Sequence, residues 1–144
     1  MWKNVVSNLS SDYQFSVPAT EAELLEIEEK LNASLPEALL TLYQETNGIF
    51  GDYGISLVWS TERAIKENLY FRSLPETLDY LKPLDEFLFF SDAGNGDLFG
   101  YKLTNGNIQR EDIYVWNHEN DQRTVIASSL EEFITGWATG VISV

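Results

Sequence analysis

The stretch that decides the fold is Glu86–Leu103, EFLFFSDAGNGDLFGYKL. Phe87, Leu88, Phe89 and Phe90 run without a polar break, as in a strand buried on both faces. Asp92-Ala-Gly-Asn-Gly-Asp97 then gathers turn formers. Asn95-Gly96 suits central turn positions that need positive φ, which marks a hairpin. Leu98, Phe99, Tyr101 and Leu103 carry the chain back. The expectation is a central hairpin with an acidic tip and the rest of the chain packed around it.

Upstream, Trp2, Val5, Val6 and Leu9 fall at helical spacing. Thr20 with Glu23 fits a capping box ahead of a helix whose buried face carries Leu24, Ile27 and Leu31. Ser34 with Glu37 fits a second box, with Pro36 in the first turn and Leu39, Leu40 and Tyr43 as the buried stripe. Asn47-Gly48 ends that helix. Tyr53–Trp59 reads as a strand. Ser60 or Thr61 caps a helix to about Arg72, and Leu74–Pro83 has no clear pattern. Asn105-Gly106 is another turn, and Asp112–Asn117 and Arg123–Ala127 read as strands. Ser129 with Glu132 opens the last helix, where Leu130, Phe133, Ile134 and Trp137 form an i, i+3, i+4, i+7 stripe. Trp137 is assigned to the core. The order predicts an α+β fold: one domain over 1–144, N-terminal helices, a central, mainly antiparallel sheet, and a C-terminal amphipathic helix packed on it.

Composition narrows the chemistry. The chain of 144 residues has no cysteine and one histidine, which excludes thiolate and multi-histidine metal sites. With 23 acidic and 9 basic residues the net charge is −14, so nucleic acid and anionic membrane are expected to be repelled. A basic protein partner is allowed. The N-terminal stretch lacks a signal-peptide apolar region, and no apolar run approaches a membrane span; a cytoplasmic protein is the expectation. Asp92–Asp97 looks like a calcium loop but has Gly94 where a ligand belongs and Leu103 where the closing Glu belongs. No metal site and no cofactor are expected. His118-Glu119-Asn120-Asp121 follows a strand end and is either a polar loop or an acid–base site. Trp59 and Trp116 serve either as core or as interface anchors.

The order of E-x-x-L-x-x-I-E-x-x-L, L-P-x-x-L-x-x-L-Y, N-G, an apolar strand, D-x-G-N-G-D, Y-V-W-N-H-E and S-L-E-E-F resembles the SUKH superfamily in its Smi/Knr-like branch, over about Thr20–Trp137. The resemblance implies an α+β domain that is not an enzyme. In bacteria it implies an immunity protein that neutralises a polymorphic toxin, often a nuclease, by stoichiometric binding; some relatives are instead regulatory interaction modules. A small hydrolase using His118 with a nearby carboxylate is the third reading. The partner face is expected at the hairpin and the Asn47–Gly54 loop, through Asp52, Asp92, Asp97 and Glu119, with Tyr53 and Trp116 as apolar anchors.

Overall fold

The structure, a computed structural model, describes residues 1–52 and 55–144. Among these, the helices are α1 (Trp2–Leu9), α2 (Glu21–Leu31), α3 (Glu37–Glu45), α4 (Thr61–Ser73) and α5 (Leu130–Thr139). The strands are β1 (Gln14–Phe15), β2 (Ile49–Phe50), β3 (Ser56–Val58), β4 (Phe87–Asp92), β5 (Leu98–Thr104), β6 (Asn107–Trp116) and β7 (Arg123–Ala127). All pairing is antiparallel. The fold is α+β, as its sequence predicts, with a large sheet β4-β5-β6-β7 in chain order. The chain adds a small second sheet, β1-β2-β3, beyond the one sheet expected. Strands of two or three residues are too short to show an alternating pattern. Among the described residues no helix is long and apolar enough to cross a membrane.

Local chemistry sets the boundaries. Thr20 Oγ1 accepts from the Glu23 N–H, and the Glu23 carboxylate accepts from the Thr20 N–H, completing the box at α2. The box expected at Ser34/Glu37 does not form. Leu35, which precedes a proline and is thereby biased away from helix, donates its N–H to the Glu28 carboxylate at 2.8 Å, and the Ser34 N–H goes to the Gly106 carbonyl. Pro36 is left as an N-cap that contributes no side-chain bond.

The β5–β6 turn places Asn105 and Gly106 both at positive φ (53° and 77°), the two-residue geometry that Asn-Gly favours. The β4–β5 connection departs from that expectation. There Gly94 and Gly96 take positive φ, while the Asn95 side chain accepts from the Asp97 N–H and the Ala93 N–H closes the loop onto the Asp97 carbonyl. The extra residues fit a longer loop with a side-chain-supported turn.

Phe87–Phe90 are all buried. On one face of the large sheet Phe90 and Phe99 meet Phe133 of α5, with ring centroids 5.5 and 4.7 Å apart. On the other, Phe87 stacks with Phe89, and Tyr114 and Trp116 lie beside them. Phe71 of α4 closes on Trp116 at 5.7 Å. Leu130, Phe133 and Ile134 are buried as the stripe predicts. Trp137 is only half-buried, packed edge-on to Phe99 at 5.0 Å, because it sits in the last turn of α5 at the rim of the core. Trp2 fastens α1 to α3 by donating its indole N–H to Thr41 Oγ1 at 2.9 Å.

The free edge of β4 is met by side chains of α4. Asn68 is fully buried in α4; its carbonyl oxygen accepts from the Phe89 N–H at 2.9 Å and its amide donates to the Phe89 carbonyl at 2.8 Å. Arg72 donates to the Phe87 carbonyl and to the Leu31 carbonyl at the end of α2. The Trp59 N–H donates to the Phe90 carbonyl at 2.8 Å, which joins the small sheet to the large one.

Asn68→Ala strands two buried backbone groups of Phe89, at about 1–3 kcal/mol each. Phe133→Ala is expected to cost about 3–5 kcal/mol and Trp137→Ala clearly less. Urea unfolding of the three variants checks the order.

Candidate functional site

The hairpin tip and the β6–β7 loop form one hydrogen-bonded unit. Asp97 stands just before β5, and its carboxylate accepts from both the His118 backbone N–H (3.1 Å) and the Nδ1–H of the same residue (2.6 Å). With Nδ1–H directed at Asp97, the ring presents Nε2 outward, 4.0 Å from the Glu119 carboxylate. The ring lies against Gly96, where a Cβ would stand 2.9 Å from its atoms at a φ of +107°. Only glycine fits both constraints there. The Tyr80 hydroxyl donates to the His118 carbonyl at 3.5 Å.

A second knot holds the other end of the same loop. Asp121 accepts the Trp116 indole N–H (2.8 Å), the Arg123 guanidinium (2.8 Å) and the Lys82 N–H (3.1 Å). Arg123 also binds Glu86 and the Lys82 and Pro83 carbonyls, and lies over the Phe87 ring. Partial burial by itself would raise the Asp121 carboxyl. Hydrogen bonds from Arg123, Trp116 and Lys82 outweigh it and hold the group below the usual carboxylate range.

The six residues expected at a partner face are distributed unevenly. Glu119 is exposed at the tip, with a side chain 80 % accessible. Asp52 is also exposed but borders a separate depression of about 210 Å³ with Asp12, Tyr13, Gly51, Ile55 and Ala138. Asp92 is half-buried and engaged: it accepts the Trp59 indole N–H at 2.8 Å and pairs with Arg63 at 3.5 Å. Asp97 is 5 % exposed and Trp116 2 %, so both lie inside the tip, the first holding His118 and the second filling the sheet face. Tyr53 lies outside the described residues. Trp59 is core.

Exposed Tyr80 (56 %) stands against the tip loop, and Leu69, Tyr70 and Leu78 are exposed on α4 and the segment after it. The sequence signal for Leu78 and Tyr80 is weak: Leu74–Pro83 carries apolar residues in a proline-bounded segment with no period. The Asp97–His118 pair has the geometry by which a carboxylate orients an imidazole for proton transfer. The same geometry fastens two loops, and the ring contact with Gly96 serves that second use. Among the described residues no three His, Asp or Glu side chains stand close enough to share a metal ion.

A family model described as SMI1-KNR4 cell-wall, of the SUKH type, matches residues 21–134. No curated protein matches the chain.

Gly96→Ala is expected to cost about 1–3 kcal/mol, from its φ and from displacement of the His118 ring, measured by thermal and urea unfolding. Asp121 contributes stability that is present above its unfolded pKa and is lost as pH falls through the lower, folded value. Asp121→Asn is therefore expected to be less stable than wild type near neutrality, with the gap narrowing below about pH 4. Unfolding free energies across an acid pH series check the sign.

Proposed function

The chain belongs to the SMI1-KNR4 cell-wall family, and on that footing we propose that it is an immunity-type binding protein. It neutralises a basic toxin domain by stoichiometric contact, with the whole chain acting as one domain in the cytoplasm and with no enzymatic turnover. The observation that carries this reading is the tip. Two charge-assisted knots, Asp97–His118 and Asp121–Arg123, hold a loop that presents Glu119 to solvent, with exposed Tyr80 of the segment after α4 bonded against it, on a chain of net charge −14. Rigid presentation keeps the ordering cost of binding low, and the net negative charge steers a cationic partner to the surface.

The roles divide by burial. Glu119 and Asp52 are free to act in encounter, whereas Asp92 acts through the positions of Trp59 and Arg63. Asp97 and Trp116 hold the shape of the face. Tyr80, with Tyr70 on α4, takes the part of apolar anchor that the sequence assigned to Trp116 and Tyr53.

The test is co-expression with a toxic basic protein from the native host that purifies with this chain as a one-to-one complex. Wild type is expected to protect cells. Glu119→Lys with Asp52→Lys is expected to slow association by up to about tenfold at low salt and to leave the fold unchanged. Tyr80→Ala is expected to speed dissociation instead. A one-to-one partner that is not toxic, bound through the same face, would favour a regulatory interaction module.

A further inference from the structure

The two edges of the large sheet are finished differently. The β4 edge is occupied by Trp59, Asn68 and Arg72. The β7 edge is Arg-Thr-Val-Ile-Ala, with neither lysine nor proline to blunt it. The Asn117 N–H donates to the Gln122 carbonyl at 2.8 Å and the Asn117 carbonyl accepts from the Asp121 N–H at 2.9 Å, so both main-chain groups of Asn117 face the start of β7. The register continues Trp116↔Arg123, Val115↔Thr124, Tyr114↔Val125. Antiparallel alternation then turns the groups of Thr124 toward β6 and the N–H and C=O of Val125 outward. Among the described residues neither main chain nor side chain meets these Val125 groups. The Val125 residue is 46 % exposed, and Thr124 beside it is exposed. The register shift before Ala127 confines the open edge to about Arg123–Val125, enough for a short added strand.

We propose that β7 takes an extended segment of a cationic protein by strand addition. Main-chain bonds would supply affinity at Val125, and charge would choose the occupant. The edge is flanked by Glu119 before it and by exposed Glu131 and Glu132 after it. The cation of the strand, Arg123, is turned onto Phe87 and neutralised by Glu86 and Asp121. A second copy would set these acids against their own kind at −14 per chain, whereas a lysine- or arginine-bearing strand would pair with them. β7 follows directly on the tip loop, so the added strand would continue the face that carries Glu119. This inference rests on the reading that the partner is basic, and names the segment that would receive it.

The probe is a blocked peptide of alternating lysine and valine. Its control has the same charge and sequence with alternate backbone amides N-methylated. Amide exchange is followed on the isotope-labelled full chain near physiological salt. At a peptide concentration about ten times its Kd, exchange at Val125 is expected to slow about tenfold, with no slowing from the N-methylated control. Val125→Lys is expected to weaken the peptide while leaving the spectrum of the folded chain in place. Equal effects of both peptides, or shifts confined to the hairpin tip or α5, would overturn strand addition. So would a free chain that sediments as a dimer with Val125 already protected, which would put a second copy on this edge. The peptide assay needs no toxin, so its failure leaves toxin neutralisation standing, and a failure to protect cells leaves the peptide result standing.

Discussion

A strand at the edge of a sheet carries main-chain groups that need partners, and in β4 this need is met deep in the core. Phe87–Phe90 cannot face water, so no solvent is at hand to satisfy Phe89. The Asn68 amide stands in for a neighbouring peptide, accepting one bond and donating another. The Trp59 main-chain N–H and the Arg72 guanidinium donate to the Phe90 and Phe87 carbonyls. Three consequences follow. α4 can sit at only one height along β4; the small sheet is tied to the large one at Trp59; and the Arg72 contact to Leu31 ties α2 to both.

The helix entrances depend on a similar economy. Asn47 accepts from the Thr61 N–H at the start of α4 and donates to both Thr61 Oγ1 and the Glu23 carboxylate of α2. Gly48 follows at a φ of +103°, where a Cβ would strike the Phe50 ring at 2.8 Å and the Ser60 N–H at 3.0 Å. The Asn-Gly pair that ends α3 is thus also the point at which α2 and α4 are registered.

What the sequence disclosed, and what it hid, divides along the range of the interactions. Thr20/Glu23 and the Leu130–Ile134 stripe are local: a cap or a period is complete within a few residues. Ser34/Glu37 has the same local pattern and fails, since contacts from Glu28 and Gly106 compete for the segment. Asn68 was invisible because a lone asparagine in a helix gives no sign of the strand it will meet. The tip shows both sides. His118 and Asp97 were each noticed, but their pairing across β5 and β6 needs the register, and that pairing moves Asp97 from the surface to the interior. Trp116 was read as a possible anchor; its alternation within β6 left either face open until Phe71 and Phe89 covered it.

Among the described residues three indoles end on a hydrogen-bond acceptor: Trp2 on Thr41, Trp59 on Asp92 and Trp116 on Asp121. Each sits at a different joint: α1 with α3, the small sheet with the large, and the β6–β7 loop with its strand. An indole that loses such a bond shifts its emission even when the ring stays dry. Intrinsic fluorescence in this protein therefore reads the joints, and a loosening of one of them would be seen as colour before any change in shape.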